Sequence, residues 1–248
     1  MANVMLITGG GRGIGAATAR LAARRGYAVA INYLANAAAA EAVVRGIRDH
    51  GGTAIAVAAD ISRQDDVGRL FESVDRSLGR ITVLVNNAGI VDRQMRVDEM
   101  TEARLTRMFA VNVVGSFLCA RQAVLRMSRH HGGNGGAIVN VSSAAARVGS
   151  PGEYVDYAAS KAAIDNLTLG LAKEVAAEGI RVNAVRPGII DTEIHASSGD
   201  PGRARRLAAE LPLGRPGTAD EVACAILWLA SEESSYSSGS ILDVAGAR

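Results

Sequence analysis

Short runs of β-branched and other apolar residues alternate with longer stretches of helical periodicity along almost the whole chain. Strands separated by helices are parallel strands joined by right-handed crossovers, because a tight hairpin cannot return the chain in the same direction. Several runs are apolar at successive positions, as strands are when helices cover both sheet faces. The pattern predicts an α/β fold, a doubly wound sheet of seven parallel strands with helices on both faces. The predicted strands are residues 4–8, 28–33, 53–58, 81–86, 137–142, 181–186 and 241–244, and the clearest helices are 16–25, 36–50, 64–78 and 219–231.

The chain length favours a single domain, residues 1–248. With 248 residues and a hydrophobic content of 48%, the chain can bury a sizeable core, and α/β folds of this length are often one domain. Residues 187–216 hold four of the five prolines. This segment is too long for a plain connector, so we predict a partly helical excursion that covers or binds a substrate.

Composition argues against several classes of function. The formal net charge is only +2 and the basic residues are spread along the chain, so we expect no nucleic-acid partner and no membrane binding. The apolar run 4–7 is too short for a signal-peptide core or a membrane span, so we expect a cytoplasmic protein. Cys119 and Cys224 lie far apart and are expected to be reduced core residues. His130 and His131 have no further ligand at a suitable spacing, so we expect no metal site.

The first predicted strand runs directly into the glycine-rich segment Thr8-Gly9-Gly10-Gly11-Arg12-Gly13-Ile14-Gly15, which opens a helix. Glycines let the backbone approach a pyrophosphate closely, while the free N–H groups of the helix N-terminus face the anion. The spacing is not G-x-G-x-x-G, because Arg12 and Ile14 stand where that pattern needs glycine. It is T-G-x-x-x-G-x-G. Its position after the first strand favours a dinucleotide site over a glycine-rich loop without a ligand.

Four motifs resemble those of the short-chain dehydrogenase/reductase family. They are the turn 8–15, Asn86-Asn87-Ala88-Gly89 after the fourth strand, Tyr157-x-x-x-Lys161, and Pro187-Gly188 followed by Thr192. The overall pattern resembles the 3-oxoacyl-carrier-protein reductase and glucose-dehydrogenase branch. The resemblance implies a single-domain Rossmann fold that binds a nicotinamide dinucleotide. It also implies a homotetramer packed through the helices of Asn112 and Tyr157 and the C-terminal strand.

The end of the second strand indicates which dinucleotide is bound. An NAD site usually carries an acidic residue about 20 residues after the glycines, and residues 31–36 contain none. Arg12 opposes the helix macrodipole unless an anion offsets it, although a solvated arginine is the alternative. Together these features favour NADP(H) over NAD(H). The cofactor contacts predicted from the turn and from the resemblance are Gly9, Arg12, Gly13, Ile14, Asn32, Asp60, Ile61, Asn87, Ala88, Gly89, Tyr157, Lys161, Pro187, Gly188, Ile190 and Thr192.

Tyr157 and Lys161 are the candidate pair for proton transfer. Four residues apart on a helix, they lie on the same face and can act at one point. A free tyrosine has a pKa of about 10, so a base at neutral pH needs a shift of roughly 3 units, which a nearby ammonium and an oxidised nicotinamide both favour. A core tyrosine beside a surface lysine is the alternative. The other motifs in the same chain favour the catalytic interpretation.

Two further catalytic residues follow from the resemblance. Ser143 would bond the substrate oxygen, although it lies one residue farther from the tyrosine than in many relatives, which we interpret as an extra residue in loop 149–156. Ser142 would point to the opposite side of the strand and is expected to be structural. Asn112 matches the family's N-x-x-G, where the asparagine is associated with a kinked helix and a water that links the lysine to solvent. A buried asparagine that satisfies backbone groups is the alternative.

The sequence therefore predicts an NADP(H)-dependent oxidoreductase acting on a small carbonyl or alcohol compound, with Tyr157 as general acid and base. Two other functions stay open: an epimerase or dehydratase whose bound dinucleotide is not consumed, and a nucleotide-sensing relative without turnover. The substrate pocket is expected from residues 91–96, 144–154 and 189–213. His195 could approach the substrate, and Trp228 is predicted in the core.

Overall fold

The computed structural model describes residues 3–194 and 198–247. Its strands are β1 (Val4–Ile7), β2 (Ala28–Tyr33), β3 (Ala54–Ala58), β4 (Val83–Asn86), β5 (Gly136–Val141), β6 (Ile180–Pro187) and β7 (Ile241–Val244). They form one parallel sheet in the order β3-β2-β1-β4-β5-β6-β7. The seven predicted strands and the α/β fold class are confirmed, with strand ends that differ by at most two residues.

The centre of the sheet is β1, where Met5 lies opposite Val29 of β2 and Val83 of β4. The chain adds β2 and β3 on one side of β1 and then crosses back to add β4 to β7 on the other. In open α/β sheets, ligands bind beyond the carboxyl ends of the strands at such a change of direction. The topology therefore places a binding cleft between the ends of β1 and β4.

Helices cover both faces of the sheet. They are α1 (Gly13–Arg24), α2 (Ala37–Asp49), α3 (Gln64–Leu78), α4 (Glu102–Phe109), α5 (Gly115–Met127), α6 (Ala145–Val148), α7 (Val155–Val175), α8 (Arg203–Leu207) and α9 (Ala219–Ala230). Successive residues of a strand point to opposite faces. Met5 and Ile7 accordingly pack with α1, α2 and α9, whereas Val4 and Leu6 pack with α3, α5 and α7. Each face thus has its own core.

Between α4 and α5 the helix continues through a five-residue π-helical turn, Ala110–Val114. Within the described chain, the stretch 102–127 is the one helix long and apolar enough to cross a membrane by length and composition, a test that core helices also pass. Its Cys119, Ala123 and Met127 are buried against the sheet. One face of this helical stretch therefore packs against the sheet.

Two predictions about α9 are wrong. Cys119 is buried as predicted, but Cys224 is exposed. Trp228, predicted in the core, has 38% of its surface exposed. The face of α9 that meets the sheet is occupied by Val222 and Ile226, so Trp228 lies to the side of that face.

Candidate active site

A cleft with about 1040 Å³ of empty space lies beyond the carboxyl ends of the central strands. It brings together residues that are far apart in the sequence. The predicted site residues that line it are Ile14, Asn87, Gly89, Ser143, Tyr157, Lys161, Pro187, Gly188, Ile190 and Thr192. The predicted site residues that do not line it are Gly9, Arg12, Gly13, Asn32, Asp60, Ile61, Ala88 and Asn112.

The turn between β1 and α1 requires glycine at several positions. Gly9 and Gly13 have φ values of +62° and +50°, which side chains disfavour. A Cβ at Gly15 would lie 2.6 Å from Asn87 Nδ2. Steric limits on both conformation and space therefore explain these glycines.

Hydrogen bonds of Thr8 connect this turn to the segment that follows β4. Its Oγ1 accepts hydrogen bonds from the N–H groups of Asn87 and Ala88, each at 3.0 Å. In return, Asn87 Nδ2 donates to the carbonyl oxygens of Thr8 at 2.9 Å and Gly9 at 3.0 Å. The glycine turn and the Asn-Asn-Ala-Gly segment thus form one unit.

The N-terminus of α1 has no side-chain cap. Arg12, at the N-cap, is exposed and makes no capping hydrogen bond, and the first turn contains no acidic residue. In α9, by contrast, Thr218 and Glu221 form a capping box. Uncapped N–H groups and the helix dipole favour an anion. The start of α1 therefore suits a phosphate group.

Asn32 lies beneath the glycine turn. Its side chain is buried, its Oδ1 accepts from Gly9 N at 3.3 Å, and its Nδ2 donates to Ala59 O at 2.9 Å. These bonds hold Gly9 in place and occupy the Asn32 amide with protein partners. The predicted cofactor contact of Asn32 stays a prediction.

Asp60 and Ile61 follow β3. Asp60 Oδ1 accepts hydrogen bonds from Ser62 N at 2.9 Å and Ser62 Oγ at 2.7 Å. Ile61 is buried, and a Cβ at Gly115 would lie 2.8 Å from its Cδ1. Close contact with α5 thus fixes the residues that follow β3.

The segment after β6 passes beside the glycine turn. Gly188 N donates to Val244 O at 3.0 Å, and Ile190 is buried. A Cβ at Gly13 would lie 3.4 Å from Thr192, so Thr192 lies next to the turn. His195 falls outside the described residues.

Tyr157 lies in the first turn of α7, and it lines the cleft together with Ser143. Burial raises the pKa of the Tyr157 phenol, and the smaller effect of the Ser143 hydrogen bond lowers it. The direction is opposite to the shift expected from a neighbouring ammonium. In the protein without a dinucleotide, the phenol is therefore protonated at neutral pH.

Lys161 is buried one helical turn after Tyr157. Its Nζ donates to the carbonyl oxygen of Val141 at 2.8 Å and lies 5.7 Å from the centre of the Tyr157 ring. Burial lowers the pKa of Lys161 to about 8, although Asp165 acts in the opposite direction. Ser142 Oγ donates to the backbone carbonyl of Lys161 at 3.1 Å.

Asn112 lies in the π-helical turn and joins two parts of the site. Its Nδ2 donates to Ile90 O and to Ser160 Oγ, each at 3.0 Å, and its Oδ1 accepts from Ile90 N at 2.8 Å. A Cβ at Gly89 would lie 3.4 Å from both Asn112 Oδ1 and Lys161 Nζ. Asn112 thus satisfies backbone groups, and both its side chain and the Lys161 ammonium lie close to Gly89.

Comparison with known proteins assigns this arrangement to a family. The family model described as enoyl-(acyl carrier protein) reductase matches residues 9–246. A short chain dehydrogenase from Burkholderia cenocepacia in complex with NADP has a TM-score of 0.89 to this chain at 34% identity, with 98% of this chain and 96% of that chain covered. The chain belongs to the short-chain dehydrogenase/reductase family.

Two relatives extend this result. The chain is 54% identical to the uncharacterized oxidoreductase YgfF of Escherichia coli, with 99% of each chain covered. It is 42% identical to cis-4-hydroxycyclohexanecarboxylate dehydrogenase of Sinomonas cyclohexanicum, with 98% of this chain and 95% of that one covered. The protein is thus an oxidoreductase of the short-chain dehydrogenase/reductase type, and the resemblance drawn from its motifs is confirmed.

Sequence reasoning assigned no role to three residues around the site of this short-chain dehydrogenase/reductase: Thr8, Tyr154 and Arg203. Thr8 was part of the recognised turn, so the motif carried a signal for it. Tyr154 and Arg203 line the cleft and fall in the predicted pocket segments, but only the folding of those segments shows which side chains face inward. In the described parts of the chain, no group of three or more His, Cys, Asp or Glu side chains could hold a metal ion.

Proposed function

We propose that this protein is an NADP(H)-dependent oxidoreductase that transfers a hydride between the nicotinamide and a carbonyl or secondary alcohol carbon, with Tyr157 as general acid and base. One observation carries the proposal. Ser143, Tyr157 and the buried Lys161 line the same cleft as Ile14 at the start of α1. An acid, a second hydroxyl donor and a cation thus lie beside a turn suited to phosphate.

The residues of the cleft fit a nicotinamide dinucleotide. The uncapped N-terminus of α1 suits the pyrophosphate, with Gly9, Gly13 and Ile14 around it. The exposed Arg12 and the lack of an acid in residues 31–36 support NADP(H), because a carboxylate there would repel a 2′-phosphate. The NADP complex of the Burkholderia relative supports the same choice. When bound, the cofactor supplies or accepts the hydride.

Other predicted residues would hold the remaining parts of the cofactor. Lys161 would bond the nicotinamide ribose and Thr192 the carboxamide, while Asp60 and Ile61 would border the adenine. Asn87, Ala88 and Gly89 would line the adenosine ribose, and Pro187, Gly188 and Ile190 would support the nicotinamide end.

In the reducing direction Tyr157 donates a proton to the developing alkoxide. Its raised pKa keeps the phenol protonated at neutral pH, the form required for donation. Ser143 offers a second hydroxyl to the same oxygen, which stabilises negative charge as it forms. Lys161, with a pKa lowered to about 8, can exchange a proton near neutral pH. Asn112 holds the backbone beside Lys161 and so anchors the route by which Tyr157 regains its proton.

We further propose a cytoplasmic homotetramer that acts on small carbonyl or alcohol compounds. Large apolar side chains are exposed on the helical stretch 102–127 and on α7, a pattern that favours burial against another copy. They are Leu105, Phe109, Val114, Phe117, Leu125, Val155 and Leu169. The exposed Trp228 on α9 and Leu242 on β7 supply a second apolar area, consistent with packing through the C-terminal strand.

The test uses Tyr157→Phe with exposed Tyr236→Phe as the matched control. The protein is screened with NADPH against aldehydes, ketones, quinones and 3-oxoacyl thioesters, and with NADP+ against sugars, alcohols and 4-hydroxycyclohexanecarboxylate. We expect net cofactor conversion with at least one class, and a loss of roughly 10²- to 10⁴-fold in kcat for Tyr157→Phe with NADP(H) binding retained.

Two outcomes would overturn the proposal. Binding of NADPH without conversion of any compound would favour a nucleotide sensor. Formation of product without net change in the cofactor would favour an epimerase or a dehydratase.

A further inference from the structure

The outer wall of the cleft comes from α6, the turn before α7 and the excursion after β6. Val148, Tyr154 and Ile194 make much of this wall apolar. Arg203 of α8 is different. Among the described residues that line the cleft, only Arg203 and Lys161 carry a formal charge at neutral pH, and none is a carboxylate.

Arg203 is buried, and its guanidinium is bonded to a carboxylate through its two Nη atoms. Its side chain is only 8% exposed, and its Nη1 and Nη2 donate to Glu153 Oε1 at 3.0 Å and Oε2 at 2.6 Å. The guanidinium lies 5.2 Å from the centre of the Tyr154 ring. Among residues 3–194 and 198–247, Arg203 Nε has no hydrogen-bond acceptor. Because a guanidinium carries five N–H groups in a rigid plane, its Nε edge can take a second carboxylate.

Glu153 orients Arg203 from outside the cleft. The Glu153 side chain is 37% exposed and does not line the cleft. Its Oε1 also accepts from Gln94 Nε2 at 3.2 Å. Water therefore screens much of the carboxylate charge, whereas Arg203 faces a partly enclosed cavity in which attraction for an anion is stronger.

We propose that Arg203 forms a carboxylate subsite, and that the preferred substrate is an oxo acid or hydroxy acid whose carboxylate is separated from the reacting carbon by an apolar body. The inference rests on the proposed function, which puts the reacting carbon at Tyr157. Val148 and Ile194 line the same cleft and take the carbon skeleton. A neutral ketone of the same shape leaves the Nε edge of Arg203 without a charged partner, which gives the site its selectivity.

The kinetic test compares two ketones of the same shape, 4-oxocyclohexanecarboxylate and 4-oxocyclohexanecarboxamide, with NADPH. For the wild type, kcat/KM should favour the carboxylate by roughly 10- to 100-fold, mainly through KM. Arg203→Met should bring this ratio close to one. Arg203→Lys, which keeps the charge but not the planar fork, should retain part of it.

Arg206→Met is the matched control, because Arg206 lies on the same helix with an exposed side chain paired to Asp200. It should keep the wild-type ratio. Circular dichroism verifies that each variant is folded. If Arg203→Met is unfolded, the comparison is made with Arg203→Lys instead. Equal kcat/KM for the two ketones in the wild type, or an unchanged ratio in the Arg203 variants, overturns the subsite.

A binding measurement separates the subsite from the redox proposal. Cyclohexanecarboxylate and cyclohexanecarboxamide, which cannot react as ketones, are titrated calorimetrically into the protein with and without NADP+. We expect the carboxylate to bind more tightly, with at least a tenfold loss in Arg203→Met. Equal binding of both compounds overturns the subsite. Selective binding of the carboxylate with no reduction of either ketone leaves the subsite standing and counts against the proposed redox function.

Discussion

Arg104 Nε donates to Asp156 Oδ2 at 2.8 Å in a buried ion pair that joins α4 to the residue before Tyr157. A second hydrogen bond, from Arg104 Nη2 to Asp156 Oδ1 at 3.3 Å, makes the contact bidentate. Arg104 Nη1 also donates to the backbone carbonyl of Arg93 at 2.8 Å. One arginine therefore holds both the start of the Tyr157 helix and a loop beside the cleft.

Replacing Arg104 with methionine should lower the free energy of unfolding by about 3–5 kcal/mol, because the Asp156 carboxylate would stay buried without its partner. Arg107→Met is the matched control. This variant breaks the ion pair between Arg107 and Asp92. Because the Arg107 side chain is 60% exposed, the free energy of unfolding should fall by less than about 1 kcal/mol. Urea unfolding measures both values. Similar losses for the two variants would contradict a structural role for the Arg104 pair.

Lys161→Met should abolish turnover and yet raise stability at pH 7. Burial lowers the pKa of Lys161 from 10.5 to about 8 in the folded chain, so the charged form is destabilised by on the order of 3 kcal/mol. Loss of its hydrogen bond to Val141 offsets about 1 kcal/mol of the gain.

The effect of Lys161→Met should depend on pH. Between pH 8 and 10.5 the unfolded chain binds a proton that the folded chain does not, so wild-type stability rises with pH over this window. The stability difference from the variant should be largest below pH 8 and disappear towards pH 10.5. Thermal unfolding across this range measures it, and a lower Tm for the variant at pH 7 would count against the buried-cation explanation.

Arg12→Glu should shift cofactor preference from NADP+ towards NAD+. The new carboxylate would repel the pyrophosphate of both dinucleotides, and in addition the 2′-phosphate that only NADP+ carries, so NADP+ affinity should fall roughly tenfold or more relative to NAD+ affinity. Arg20→Glu, exposed on the same helix, is the control and should bind both cofactors like the wild type. Titration of both dinucleotides gives the two dissociation constants. Parallel weakening of NAD+ and NADP+ by Arg12→Glu would exclude a role for Arg12 in discrimination.

Phe117→Glu should split the proposed tetramer into smaller species. Phe117 is 49% exposed in the described chain and lies among other exposed apolar residues of the helical stretch 102–127, so a carboxylate there would be buried in the interface without a partner. Tyr236→Glu, at a fully exposed position, is the control. Size-exclusion chromatography with light scattering reports the mass. A monomeric wild type would contradict the proposed assembly.

Local patterns were sufficient to predict the fold. The apolar run Val4–Ile7 is buried at every position, so a strand covered on both faces could be read from four consecutive residues. The glycine turn was equally predictable, because its conformational and steric requirements fall on neighbouring residues. Tyr157 and Lys161 lie on the same helix face because they are four residues apart, and this could also be predicted from the sequence.

Contacts between distant segments could not be predicted in this way. Arg104 is 52 residues from Asp156, and Glu153 is 50 residues from Arg203. Neither pair has a sequence spacing that indicates a contact. In the sequence, neither arginine can be distinguished from the exposed arginines near it. Trp228 was misplaced for a related reason, because helical spacing groups residues on one side of a helix without saying which side meets the sheet.

The sequence by itself determined the order of strands and helices, the glycine turn, the Tyr157 and Lys161 pair and the lack of an acid after β2. These features depend on residues close together in the chain. The tertiary structure decided which charges are buried, which side chains face the cleft, and the direction of the Tyr157 pKa. Burial and its electrostatic consequences arise from segments that meet only when the chain folds. For this reason the sequence, which showed only the nearby Lys161, predicted a lowered pKa for Tyr157, whereas burial in the folded chain raises that pKa.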